Sequence, residues 1–289
     1  QTQAPPKERI PMRKLFAPCC GALALVVLVG CQTVQTTQPG VVGVSREQRV
    51  SPLINRNKLN QQAGLQYQQV LSEAQQKQAL NRDHETVQRI RRIADRIIPQ
   101  TAAFRPEAVN WQWEVNVISS KELNAWCMPG GKIAFYTGLI DGLQATDDEL
   151  AHVMGHEIAH ALREHAWERA SKSATAGLGL SILGMALGAD PSQMDMAGLV
   201  YNVTFELPNS REHETEADRI GIELAARAGY DPRAAVTLWQ KMAQANEGAP
   251  PQWLSTHPAS NTRQADLKIY GEKVAPLYEQ ARGGVRTSK

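Results

Sequence analysis

Cysteine is scarce in this chain, with four residues in 289, at positions 19, 20, 31 and 127. That is too few for the disulfide framework of a small secreted domain. Charge of one sign is lacking too. Lys and Arg number 31 against 29 Asp and Glu, a formal net charge of +2, so electrostatics make no case for a nucleic-acid partner. The apolar runs, Leu15 to Gly30 and Ala174 to Ala189, are each about sixteen residues, short of the ~20 a spanning helix needs. The first is further broken by Pro18. No 34-residue helical repeat is visible. Histidine is sparse as well, seven in all, which makes two of them four residues apart informative.

Those two are His156 and His160 in His156-Glu157-Ile158-Ala159-His160, an HExxH. On a helix, positions four apart share a face, so both imidazoles can aim at one ion. Glu157 projects beside them, within reach of a proton on an activated water. The flanking residues support a helix from about 147 to 171. Thr146 and Glu149 fit a capping box, and Asp147, Asp148 and Glu149 suit the helix dipole. Leu150, Val153, Met154, Ile158, Ala161 and Leu162 recur at helical spacing.

HExxH provides two ligands, and a catalytic zinc takes a third from the protein. Candidates lie in Ser210-Arg211-Glu212-His213-Glu214-Thr215-Glu216-Ala217-Asp218, which opens a second helix running to Gly229. Glu214 and Asp218 share a face, so Glu214 could bind the metal while Asp218 orients a ligating histidine. On spacing alone, Glu212, Glu216 and His213 remain rivals.

The ordered motifs together resemble the CAAX-protease/HtpX/Oma-type zinc metallopeptidases. They are His156-Glu157-x-x-His160, then Ser210-Arg211-x-x-Glu214-x-Glu216-Ala217-Asp218-x-x-Gly221, then Ala228-Gly229-Tyr230-Asp231-Pro232. Asn124-Ala125-Trp126-x-Met128-Pro129-Gly130-Gly131 with Tyr136-Thr137-Gly138-Leu139 looks like the same family's strand pair. The resemblance covers roughly residues 85 to 270. It implies one zinc per chain, His156, His160 and Glu214 as ligands, Glu157 as catalytic base, and Asp218 as the end of a Glu-x-x-x-Asp signature. Thr256-His257-Pro258 followed by Arg263 resembles a His-Pro…Arg element near the family's cleft. Pro258 suits the first turn of a helix, leaving His257 free to block the metal or to move aside, whereupon it or Arg263 could stabilise an oxyanion.

The amino terminus resembles a bacterial lipoprotein signal. Arg13 and Lys14 precede the apolar run, which ends in Leu28-Val29-Gly30-Cys31. Cys31 would then be the lipidated first residue of the mature chain, with Met12 the natural start. Gln32 resembles the pattern for sorting to the outer membrane. Loss of Lys7, Glu8, Arg9, Arg13 and Lys14 with the leader removes four cations and one anion, taking the charge from +2 to −1. Cys127 would be the one thiol left. Beside Met128-Pro129 in a strand, it reads as packing rather than as a nucleophile.

The expected organisation is a leader over 1–30, a lipidated tether over 31–52, a Gln-rich surface helix within 53–82, a peptidase domain over 83–280 and a disordered tail over 281–289. An amphipathic helix is predicted over 83–98, stopped by Pro99. Strands are predicted over 111–118, 122–128 and 132–137, the last two around a Gly130-Gly131 turn. The fold class is α+β: a mainly helical zincin of the gluzincin type, with a small antiparallel sheet beside the active-site helix. The glycine-rich segment 174–189 reads as a buried helix, with a flap or a membrane-touching loop as alternatives.

Function follows as an expectation. The chain would hydrolyse misfolded or unassembled envelope polypeptides, held as an added strand at a sheet edge. It would be anchored at the periplasmic face of the outer membrane and associated with outer-membrane assembly machinery. A zinc-binding assembly factor with little proteolysis, or an inert lipoprotein, are the alternatives.

Overall fold

The computed structural model describes residues 32–186, 196–245, 252–258 and 261–286. Two short strands come first, β1 (Gln32–Val34) and β2 (Gln48–Val50), then helices α1 (Arg56–Gln76) and α2 (His84–Ile97). After 3-10 turns at Ile98–Ala103 and Pro106–Asn110 come strands β3 (Glu114–Ile118), β4 (Ala125–Met128) and β5 (Lys132–Tyr136). The helical part comprises α3 (Thr137–Gly142), α4 (Asp147–Leu162), α5 (His165–Ala186) and α6 (Met196–Tyr201). A π-helical turn (Asn202–Glu206) leads to α7 (Arg211–Arg227), α8 (Ala234–Gln244), α9 (Gln252–Thr256) and α10 (Asn261–Arg286). The leader and Cys31 lie outside the described residues, as do residues 187–189 of the glycine-rich segment. That segment is helical to Ala186. No described helix is long and apolar enough to cross a membrane.

Local chemistry explains most of these boundaries. Asp83 caps α2 by accepting the Thr86 N–H at 2.9 Å, and Val87, Ile90, Ile93, Ala94 and Ile97 form its buried stripe. Asn55 caps α1 in the same way through the Lys58 N–H. The helix expected on the surface nevertheless buries Leu59, Ala63, Tyr67 and Ala74 along one face. Ser210 caps α7 through the His213 N–H, and Gly229, with φ +78°, turns the chain after its last residues.

The sheet is mixed rather than purely antiparallel. The order is β3-β5-β4; β4 and β5 form the expected antiparallel hairpin, with Gly130 and Gly131 at positive φ in its turn. β5 inserts between β4 and β3 and pairs with β3 in parallel, from Glu114 opposite Lys132 to Ile118 opposite Tyr136. The short 119–124 connection sends β4 back against the direction of β3. A strand placed between the two must therefore be parallel to one of them. β4 is left as a sheet edge.

α4 is the centre of the molecule. The capping box is complete: Thr146 Oγ1 accepts the Glu149 N–H, and Glu149 Oε2 accepts the Thr146 N–H at 2.8 Å. Every residue from Glu149 to Leu162 is buried. Helix periodicity predicts continuation to about 171, but α4 ends at Leu162 and the chain turns at Glu164, with φ +54°. The carbonyls that would have continued the helix are taken by other side chains. Arg105 Nη1 donates to Leu162 O at 3.2 Å, and Gln48 Nε2 donates to Arg163 O at 2.8 Å.

The segment expected as a tether is packed onto the body. Val42, Val44 and Val50 are buried, β1 pairs antiparallel with β2, and the Val42 N–H donates to Glu223 Oε2 at 2.9 Å. At the other end, the expected tail begins too early: α10 runs to Arg286.

α4 and α7 cross in backbone contact at two glycines. A Cβ on Gly155 would lie 2.6 Å from the Gly221 carbonyl oxygen, and one on Gly221 would lie 2.6 Å from the His156 backbone nitrogen. Neither obstacle is a flexible side-chain end, so the helices themselves must separate. Gly155→Ala and Gly221→Ala should each destabilise the chain by about 1–3 kcal/mol despite better helix propensity. Thermal denaturation should show a melting temperature lower by roughly 2–12 °C. An unchanged or raised melting temperature for both variants would show that the contact is loose.

Candidate metal centre and cleft

The α4–α7 crossing sets two faces together. His156, Glu157 and His160 come from α4, Glu214 and Asp218 from α7, His257 directly follows α9, and Arg263 belongs to α10. Ligand atoms of His156, His160, Glu214 and His257 all lie within 4.8 Å of one another. His156 Nε2 and His160 Nε2 are 3.0 Å apart, and they lie 3.6 and 3.4 Å from the Glu214 carboxylate oxygens. A tetrahedral ion with bonds of about 2.0–2.1 Å has ligand-to-ligand edges of about 3.3–3.4 Å, close to these separations.

The buried carboxylate of the cluster also suits a cation. His156 Nδ1 lies 2.9 Å from Asp218 Oδ1 and donates to it, which turns Nε2 toward the cluster. Both Glu214 oxygens are buried and accept no hydrogen bond of good geometry, although Arg263 Nη1 stands 2.8 Å from Oε2. The two Nε2 atoms stand 3.0 Å apart beside that carboxylate, so three potential metal ligands converge on one point. The residues fit a zinc ion: two imidazoles and a carboxylate, with His257 nearby.

Burial and neighbouring charge set the ionisable groups apart. Burial pushes the Glu157 carboxyl up to about 7, against the pull of His156 and of the Trp253 Nε1–H, which donates to Oε1 at 2.9 Å. Burial would raise Asp218 as well, but the Arg263 guanidinium outweighs it and holds that carboxyl well below the usual range. Arg263 grips Asp218 through two bonds of 2.6 and 2.7 Å. Burial drops His160 and His257 well below the ordinary imidazole value, which keeps both neutral. For His156, burial acts downward, while Asp218 and Glu214 reverse it to a net rise.

The rival third ligands fall elsewhere. Glu212 is exposed, His213 pairs with Glu168 at 3.0 Å, and Glu216 is held by Arg46, Arg163 and His165. His257 is set differently from expectation. Pro258 itself is not helical. The imidazole is stacked on Trp253, with centroids 4.6 Å apart, and its backbone N–H donates to Trp253 O at 2.8 Å. Its Nε2 stands 3.5 Å from Glu157 Oε1.

A cleft of about 490 Å³ opens beside the cluster and is lined by Glu157, His160 and His257. Trp126, Cys127 and Met128 of the edge strand β4 form part of one wall, and Leu59 and Gly64 of α1 form part of another. Enclosure pushes the Cys127 thiol well above its usual range, consistent with packing rather than nucleophilic attack.

Residue spacing did not single out Trp253, His165 or Arg163. Trp253 sits four positions before His257, so one helical turn explains their contact. His165 follows His160 by five, a spacing that no regular helix brings onto one face.

The profile of peptidase family M48 matches residues 84–270, well over half of the chain. The chain belongs to peptidase family M48. The mitochondrial metalloendopeptidase OMA1 of Arabidopsis thaliana is 37% identical over 177 residues, which cover 60% of this chain and 35% of that protein. The OMA1 of Schizosaccharomyces pombe is 32% identical over 222 residues, 73% of this chain and 63% of the relative. The beta-barrel assembly-enhancing protease of Escherichia coli (strain K12) is 32% identical over 178 residues, 57% of this chain and 36% of that protein. The matches thus span about a third to two thirds of these relatives' lengths. The mainly helical α+β architecture agrees with this membership, and metal dependence is the family's chemistry.

Proposed function

We propose that this M48 chain is a zinc-dependent endopeptidase of the bacterial cell envelope, acting on misfolded or unassembled envelope proteins. The observation that carries the chemistry is Glu157 beside the His156–His160–Glu214 cluster, on a cleft walled by a sheet edge. Zinc, when bound by those three residues, supplies a Lewis acid for the scissile carbonyl and lowers the pKa of water. Glu157 takes the proton of the attacking water and returns it to the leaving amine. Asp218 orients His156, and Arg263 steadies both Asp218 and Glu214. His257 either occupies the position that water needs or, moved aside, stabilises the oxyanion. The edge of β4 holds an extended substrate as an added strand, a mode that selects unfolded chain over sequence.

The envelope part rests on Leu28-Val29-Gly30-Cys31 and on the name of the Escherichia coli relative. The OMA1 relatives are mitochondrial, so membership of the family carries no location by itself. The words assembly-enhancing in the same name support a second reading, a zinc-binding assembly factor, while the word protease in it speaks for cleavage.

The full chain, expressed in a Gram-negative host, should fractionate with the outer membrane and incorporate labelled fatty acid. Cys31→Ser should abolish the label. The purified chain should digest unfolded casein, stop on addition of a zinc chelator and recover with zinc. A soluble, unlabelled wild type would remove the lipid anchor, and casein left intact with zinc bound would favour the assembly factor.

A further inference from the structure

We propose that His165 is a positioning residue for the metal centre: pinned by Glu216, it fixes the His160 ring with its Nε2 lone pair turned toward His156 and Glu214. The proposal rests on the zinc reading above and adds a residue to it.

His165 is fully buried, and its two ring nitrogens face different partners. Nε2 lies 3.0 Å from Glu216 Oε2, and Nδ1 lies 2.8 Å from His160 Nδ1. Glu216 also receives Arg163 Nε at 3.0 Å and Arg46 Nε at 2.6 Å. A carboxylate so held is only an acceptor, so His165 Nε2 must donate the proton. The neutral ring then has a bare Nδ1, which can only accept. His160 Nδ1 must therefore donate, which leaves His160 Nε2 bare at the cluster. The ring of His213 stacks on His165 at 4.2 Å with 14° between planes, and His213 Nε2 is tied to Glu168 at 3.0 Å. The other tautomer of His165 would set a bare Nε2 against the Glu216 carboxylate.

The two histidines of the HExxH are thus oriented by two carboxylates, His156 directly by Asp218 and His160 by Glu216 through a second imidazole. The break between α4 and α5 makes this possible. In an unbroken helix, the fifth residue after His160 would lie about 140° round the axis from it. The turn at Glu164 brings His165 back beneath it. Arg46, which completes the hold on Glu216, comes from the packed amino-terminal segment, outside the residues matched by the family profile.

The test uses the full chain and two substitutions. His165→Gln keeps an acceptor for His160 and a donor for Glu216, whereas His165→Leu keeps bulk and offers neither. Zinc affinity, measured by competition with a chromophoric chelator, should fall about 10–100-fold in His165→Leu and stay within a few-fold of wild type in His165→Gln. Leu within twofold of wild type, or Gln as weak as Leu, overturns the proposal. Should His165→Leu fail to fold, long-range ¹⁵N NMR of the metal-free wild type decides instead. His160 should appear as its Nδ1–H tautomer, and an Nε2–H tautomer overturns the assignment. A wild type that binds no zinc defeats the zinc reading alone, because the tautomer is read without metal.

Discussion

Glu157→Gln should bind zinc as the wild type does and cleave unfolded substrate about 10²–10⁴-fold more slowly, the range of a lost general base. The change preserves shape and removes the one property the mechanism uses. Glu157 is not among the clustered ligand atoms, so metal content should not change. The amide oxygen can still accept the Trp253 Nε1–H, so the local structure should hold. The carboxyl is buried at 3% exposure and pushed up to about 7 by that burial, which makes it a stronger base than an exposed glutamate. Metal analysis and casein digestion on the same preparation check both halves. A variant with wild-type turnover would remove Glu157 from the mechanism and move the reading toward the assembly factor.

Glu214→Ala should lose zinc by more than the 10–100-fold typical of a residue acting behind a ligand. Its oxygens face both imidazoles at 3.4 and 3.6 Å and accept no well-formed hydrogen bond elsewhere. Removing it also leaves Arg263 Nη1 without the carboxylate it faces at 2.8 Å. Some loss of stability should therefore accompany the loss of metal. Glu212→Ala is the control, because that side chain is exposed and should retain full zinc content. Glu216→Ala should fall between them, since Glu216 reaches the site only through His165. Equal zinc content in Glu214→Ala and wild type would show that the third ligand is another residue.

Much of this site was legible in the sequence because its information is local. HExxH places two imidazoles on one face by helical geometry alone, and Glu214 with Asp218 does the same on the next helix. The capping box at Thr146 and the cap at Ser210 each act within a single turn, so their start signals read correctly. The hairpin around Gly130-Gly131 was equally legible, since its turn demands positive φ. His257 was placed near the cleft only by resemblance to a family. Its stacking on Trp253 belongs to the folded chain.

By itself, the sequence determined the starts of α2, α4 and α7 and the pairing of His156 with His160 on one face, while spacing left the third ligand open among Glu212, His213, Glu214 and Glu216. Tertiary structure decided where α4 stops, because Arg105 and Gln48, remote in sequence, take the carbonyls of Leu162 and Arg163. Nothing in the run from Ala161 to His165 disfavours a helix. It also decided that β3 lies parallel to β5, and that residues 32–50 pack against the body instead of hanging free. The meeting of His156 with Glu214 depends on Gly155 and Gly221, 66 residues apart, letting two backbones touch. Local propensity acts over one or two turns of chain. Contacts that depend on which surfaces meet require the whole fold.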